Sequence, residues 1–174
     1  QRFSDFNTLS SAITFYTTQV AASDLGFGAF NCRDESAPGN FGASLAAAPS
    51  PFGTTGNFPV LANAGVRAVD GSGWVPVNLT DAALGGSPVS SLPLDPNQQL
   101  GTTGLTGNGR YYAYTCNNTA KTFELNASLE SLKYTSGTTN KENSDGGTFA
   151  TDGSAAQSVA SANLVYEVGN DPGL

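Results

Sequence analysis

Arg2-Phe3-Ser4-Asp5-Phe6-Asn7-Thr8-Leu9-Ser10-Ser11-Ala12-Ile13-Thr14-Phe15-Tyr16-Thr17-Thr18-Gln19-Val20 stands at the start of the chain, and its reading decides the fold. Larger apolar residues fall at Phe3, Phe6, Leu9, Ile13, Tyr16 and Val20, with spacings of 3, 3, 4, 3 and 4. Such intervals put them on one side of an α-helix. The opposite side carries Ser4, Asp5, Thr8, Ser11 and Gln19. Aromatic and β-branched residues are mediocre helix formers, so the segment needs a surface to pack on. Asp24-Leu25-Gly26-Phe27-Gly28 supplies glycines to end it.

No other stretch carries a long helical pattern. From about Asn31 to Asn57 the chain is rich in Gly, Ala, Ser and Pro. It reads as a long loop wrapping a surface, with a short helical turn at Ala43–Ala48 ended by Pro49 and Pro51. Between Pro59 and Pro96, extended pieces alternate with turns. Asp70-Gly71-Ser72-Gly73 is one such turn, and Pro76 limits the following Trp74–Leu79 to an edge strand or a tether. Trp74, the single Trp, reads as a core plug. Arg110–Thr115 is an aromatic-rich strand, and Lys121–Leu129 alternates Phe123, Leu125, Ala127 and Leu129 with Thr122, Glu124, Asn126 and Ser128. Residues 116–120 form the hairpin loop between them, and a last strand is predicted at Asn163–Val168. The expected fold is α+β in one domain: one long N-terminal α-helix packed on a small antiparallel β-sheet of roughly three to five strands, with long loops. Residues 1–22 form the helix, 23–100 the connection, and 101–174 the sheet and C-terminal loop.

Composition narrows the function. Of the 174 residues, 39% are hydrophobic and only 12% are charged, about half the charged share of an ordinary soluble domain. A surface covered with Ser, Thr, Asn and Gly suits an extracellular protein that packs against copies of itself. Net charge is −7, and the seven basic residues are scattered singly. The dense basic footprint of a nucleic-acid binder is missing, and an anionic membrane surface is disfavoured for the same reason. No apolar run approaches the ~18 residues of a membrane span. The chain has no His and no C-x-x-C, which removes the usual zinc ligands and the Ser-His-Asp triad. Gly101, Gly104, Gly107 and Gly109 lack the strand–glycine–helix context of a phosphate cradle. Cys32 and Cys116, 84 positions apart, read as one disulfide in an oxidising compartment, worth about 4 kcal/mol by loop entropy. With no Met at all, the chain is expected to be a processed or trimmed form that lacks its original front.

These landmarks resemble the type IV pilins and type II secretion pseudopilins. Gln1 to Leu9, continuing to Phe15-Tyr16, looks like the outer half of that family's first helix. Leu92-Pro93-Leu94-Asp95-Pro96 is similar to a leucine-proline-x-aspartate-proline element preceding the sheet. Tyr111-Tyr112-Ala113-Tyr114, Phe123–Ser131, Asp145-Gly146-Gly147 and Tyr166–Asp171 are similar to later family elements, in the same order. Two departures stand out: the family's processing site and apolar N-terminal segment are absent, and the stretch from Asn31 to Pro88 is longer and more irregular.

The resemblance implies a non-enzymatic structural subunit of an extracellular, type IV pilus-like filament. Assembly would use the Phe3, Phe6, Leu9, Ile13, Tyr16 and Val20 helix, with its Phe3–Phe6 end projecting towards neighbours. Partners would be other copies of the chain, minor pilins and an assembly machine, with the membrane reached only through a preceding segment. A secretion pseudopilin is the alternative within the class. Some pseudopilins bind calcium in a late loop, which singles out Glu142, Asp145, Asp152 and Asp171 as oxygen ligands for a structural Ca²⁺; a solvated acidic loop is the plainer reading of the same residues. No other cofactor is expected. Two rivals come from other classes. A carbohydrate- or surface-binding module would present aromatics on one sheet face, and a glycoside-active enzyme would place a carboxylate pair in a cleft.

Overall fold

A computed structural model of the chain describes residues 1–32, 40–46, 48, 63–100, 109–129 and 165–170. Helix α1 spans Arg2–Gln19. It is followed by β1 at Gly42–Ala43, a single 3₁₀ turn at Ala82–Leu84, β2 at Tyr112–Asn117, β3 at Thr122–Ser128 and β4 at Val165–Gly169. The strands form one antiparallel sheet in the order β1-β2-β3-β4. The molecule is therefore α+β, with one N-terminal helix against a four-stranded antiparallel sheet.

The period-3.6 stripe becomes the buried side of α1. Phe6, Leu9, Ala12, Ile13 and Tyr16 are buried there, and Val20 is partly buried against the same cluster. They meet the inner side of the sheet, where alternation puts Tyr112, Tyr114 and Cys116 of β2 beside Phe123, Leu125 and Ala127 of β3. Tyr166 and Val168 of β4 extend this face. Trp74, Val75, Val77, Leu79 and Leu92 fill the core from the long connection. The Trp74 indole N–H donates to the Pro93 carbonyl at 3.0 Å, which satisfies its one polar atom in a dry site.

Several local expectations are corrected. The helix stops at Gln19, ahead of the glycines, because Val20 turns extended at φ −97° and ψ 110°. Tyr16 then anchors the exit, its hydroxyl oxygen accepting the Asp24 N–H at 2.9 Å. No helical turn forms at residues 43–46. Gly42 and Ala43 pair with Tyr114 and Ala113 as a short edge strand, followed by a turn. Gly42 is required at that edge, because a Cβ would lie 1.8 Å from the Trp74 carbonyl oxygen. Of the two forms expected for Trp74–Leu79, an edge strand or a tether, the tether is the one found, with one isolated bridge between Asp70 and Asn78. β2 runs two residues beyond the predicted Thr115, so the hairpin loop is 118–121, not 116–120.

The disulfide joins Cys32 to Cys116 with Cα atoms 4.9 Å apart. Both cysteines are buried, so the bridge ties the connection after α1 to the middle of the core.

Burial orders the consequences of substitution. Leu9→Ala should lower the free energy of unfolding by about 2–5 kcal/mol, because the side chain is fully buried. Thr14→Ala, on the exposed side of the same helix, should change it by less than about 0.5 kcal/mol. Urea denaturation of the two variants checks the assignment of the faces.

Candidate functional site

The first turn of α1 is a meeting point of charges. Arg2 makes a two-point ion pair with Asp95, Nε to Oδ2 at 2.6 Å and Nη2 to Oδ1 at 2.8 Å. The Asp95 side chain is fully buried and that of Arg2 nearly so. A cation in the first helical turn opposes the helix dipole; the fork-shaped contact with a carboxylate offsets that cost. Asp95 Oδ1 also accepts the Asn97 N–H at 2.9 Å, which shapes the turn through Pro96. Three residues along the helix, Asp5 Oδ2 accepts the Tyr112 hydroxyl at 2.6 Å. Arg2 and Asp5 are the only charged residues of α1, and both are directed into the molecule.

The aromatic end of the helix is also directed inward. Phe6 is fully buried, with its ring 5.0 Å from Tyr112 and 5.8 Å from Tyr166. Phe3 packs edge-on to Tyr166 at 4.8 Å. The expected projection of the Phe3–Phe6 end is therefore not what forms, because Tyr112 and Tyr166 offer it an aromatic shelf. Leu9 and Ile13 are fully buried, Tyr16 nearly so and Val20 partly. This stripe serves the core of its own domain.

What α1 leaves outside is neutral. Ser4, Asn7, Ser11, Thr14, Phe15 and Thr18 are exposed along it. Three of its four threonines turn back on the helix: Thr8 donates to Ser4 O, Thr17 to Thr14 O and Thr18 to Phe15 O, each at 2.9 Å. Such local bonds satisfy the hydroxyls without outside partners. Phe15, 42% exposed, is the one large apolar side chain on this surface.

Beside the helix start lies a groove of about 610 Å³ between Gln1, Asp5 and Thr8 on one side and Val89, Ser91 and Leu94 on the other. It brings two carboxylates, Asp5 and Asp95, to one place. Asp95 is sealed against Arg2 and Asp5 is engaged by Tyr112. Arg67, at the rim, donates from Nε to the Leu92 carbonyl at 2.7 Å and from Nη2 to Ser91 Oγ at 3.0 Å, bracing the wall.

At the far end of α1, the β2–β3 loop grips the helix exit. Asn118 donates to Asp24 Oδ1 at 2.9 Å and accepts the Leu25 N–H at 3.1 Å. Lys121 Nζ donates to Asn118 Oδ1 at 3.0 Å and to the Ser23 carbonyl.

The outer side of the sheet has two halves. Phe41, Ala43, Ala48, Tyr111 and Ala113 form a small apolar cluster. Next to it Thr115, Glu124, Asn126 and Glu167 are all buried, between 0% and 3% exposed. Alternation in β3 reads as a wet face at these positions, so sequence reasoning gave this quartet no role. Tyr111, Tyr112 and Tyr114 are all buried, so the aromatic strand offers no platform for a sugar ring.

The calcium candidates Glu142, Asp145, Asp152 and Asp171 lie outside the described residues. Among the described residues no three His, Cys, Asp or Glu side chains converge on a common point, and no helix is long and apolar enough to cross a membrane. Arg2, Asp95 and Tyr112 were not singled out as a unit from sequence; the signal lay in opposite charges at Arg2 and Asp95, which only the fold brings together. Comparison of the chain with protein-family models, curated proteins and solved structures found no match.

Burial raises the ionisation of Tyr112 and Tyr114 far above the ordinary phenol, reinforced at Tyr112 by its bond to Asp5 and at Tyr114 by the nearby Asp24. In the unfolded chain both would lose their protons near pH ~10. The folded state then binds more protons than the unfolded state, so stability is fully present below about pH 10 and falls above it. Phenolate absorbance should show Tyr112 and Tyr114 ionising only together with alkaline unfolding, well above the pH ~10 of a free phenol. Ionisation of all tyrosines in one step without unfolding would contradict the packing of β2.

Proposed function

We propose that the chain is the head domain of a structural subunit in an extracellular, type IV pilus-like filament, and that copies pack through the outer side of α1 and the flanks of the head. The observation that carries this reading is the charge-free outer surface of the helix. Both charged residues of α1 are engaged inside the domain, and the hydroxyls of Thr8, Thr17 and Thr18 are satisfied within the helix. Such a surface can be buried against a neighbour without desolvating an ion, and depletion of charge marks the cores of protein interfaces. A repeated contact of this kind that does not close generates a helical filament.

Two further observations support it. Arg2 and Asp5 of the opening stretch, Asp95 of the Leu-Pro-Leu-Asp-Pro element and Tyr112 of the tyrosine strand are the landmarks of the pilin resemblance. They meet at one junction. The disulfide and the low charge content suit an exported, close-packed subunit. The buried tyrosines count against a carbohydrate-binding sheet, and the engaged carboxylates of the groove count against glycosidase chemistry. A secretion pseudopilin would use the same surfaces.

Phe15→Asp and Ser11→Lys place a charge on the outer side of α1. Each should leave the unfolding free energy of the head within about 0.5 kcal/mol of the parent and abolish surface filaments of the full protein seen by electron microscopy. Normal filaments from both variants, at normal levels of folded protein, would overturn the reading.

A further inference from the structure

Three Asn-x-[Ser/Thr] triplets occur in the chain, at Asn78-Leu79-Thr80, Asn117-Asn118-Thr119 and Asn126-Ala127-Ser128. Such a triplet can accept an N-linked sugar where its asparagine is reached at the surface of an exported protein. The fold treats the three differently. Asn126 is fully buried in β3, and its Nδ2 is committed to Glu124 Oε1 at 2.5 Å. Asn117 is the last residue of β2 and pairs with Thr122. Its Oδ1 accepts the Ala120 N–H at 2.8 Å, while Asn118, the middle residue, holds Asp24 and Leu25 at the helix exit. Engaging that triplet would undo the grip on α1.

Asn78 stands in another setting. Its Oδ1 accepts the Thr80 N–H at 3.1 Å and the Thr80 hydroxyl at 2.7 Å, closing an Asx-turn. An amide is planar, so an Oδ1 directed at Thr80 leaves Nδ2 pointing out of the turn. Among the described residues no acceptor takes this nitrogen, and it is not enclosed. Two donors on the amide oxygen also draw charge towards it and make the Nδ2 protons easier to lose. Leu79 is fully buried, with its N–H donating to the Val69 carbonyl at 2.8 Å. The middle residue thus pegs the triplet to the core and leaves its two polar members side by side. Thr80 is exposed, and so are Ala83, Gly85, Gly86 and Ser87 just after it.

We propose that Asn78 is the acceptor of one N-linked oligosaccharide and that the Asn78-Leu79-Thr80 turn is its recognition element. In the transfer, a bond forms between Asn78 Nδ2 and the anomeric carbon of a sugar carried on a lipid pyrophosphate. The bond from that carbon to the pyrophosphate oxygen breaks, and the lipid pyrophosphate leaves with its electron pair. The Nδ2 proton passes to a base of a membrane oligosaccharyltransferase. Sugar hydroxyls solvate a surface without adding an ion, which suits a chain with only 12% charged residues. The inference goes beyond filament assembly and shares with it only the export of the chain.

The test incubates the folded 174-residue chain, disulfide intact, with a purified single-subunit oligosaccharyltransferase and a polyprenyl-pyrophosphate oligosaccharide. An unstructured sequon peptide in the same tube reports that the enzyme is active. Intact-mass spectrometry should show the gain of one oligosaccharide, and peptide mapping should place it on Asn78. Asn78→Gln and Thr80→Val should each abolish the gain, whereas Thr80→Ser, which keeps the hydroxyl, should retain it. Thr80 is exposed, so its two variants decide the matter if Asn78→Gln disturbs the turn. An unmodified chain beside a modified peptide overturns the proposal. So does a sugar on Asn117 or Asn126 in place of Asn78, or a Thr80→Val variant modified as fully as the parent. Assembly is not read in this experiment, so its outcome is separate from that of the filament test.

Discussion

The Tyr112 side chain is gripped from three directions. Phe6 of the helix meets it edge-on at 5.0 Å, the Trp74 ring lies 6.1 Å away, and Asp5 accepts its hydroxyl at 2.6 Å. Its backbone N–H is taken by Ser44 Oγ at 2.7 Å, and β3 pairs alongside it through Ala127. Helix, sheet and long connection therefore share one residue. An aromatic ring contributes a large apolar area, and a buried phenol also demands a partner for its hydroxyl. Together these requirements set both the distance of α1 from the sheet and its position along its own axis.

The remaining fastenings follow from that placement. Once Asp5 is held over Tyr112, Arg2 lies where it can close on Asp95, and this fixes the end of the connection before it enters the sheet. At the other end of α1, Tyr16, Asn118 and Lys121 bind the helix exit to the β2–β3 loop. The disulfide holds the intervening chain against the same strand. The helix is thus pinned near both ends and packed along its middle. A helix fixed in this way presents its outer side as a rigid surface.

The two sides of the sheet carry different physics. The inner side is a continuous apolar layer completed by α1. The outer side combines a small apolar cluster with four buried polar side chains. Polar groups in such a place are costly unless satisfied, and the Asn126 side chain donates to Glu124 Oε1 at 2.5 Å.

Much of the architecture was legible in order and type. The spacing of Phe6, Leu9, Ile13 and Tyr16 can be satisfied only by a helix with one buried side. The aromatic run at Tyr111–Tyr114 and the alternation from Phe123 to Ala127 can be satisfied only by paired strands. The isolated cysteine pair, in a chain without His, left a disulfide as the reading. These are local properties, carried by neighbours a few positions apart. Tertiary structure alone decided that Phe3 and Phe6 turn inward, that Gly42 and Ala43 form an edge strand, and that Glu124, Asn126 and Glu167 are buried. It also decided that Arg2, Asp5, Asp95 and Tyr112 meet. Each depends on what lies opposite across the fold, an aromatic shelf, the Trp74 backbone or a distant charge, and sequence periodicity holds no information about a partner some 90 residues away.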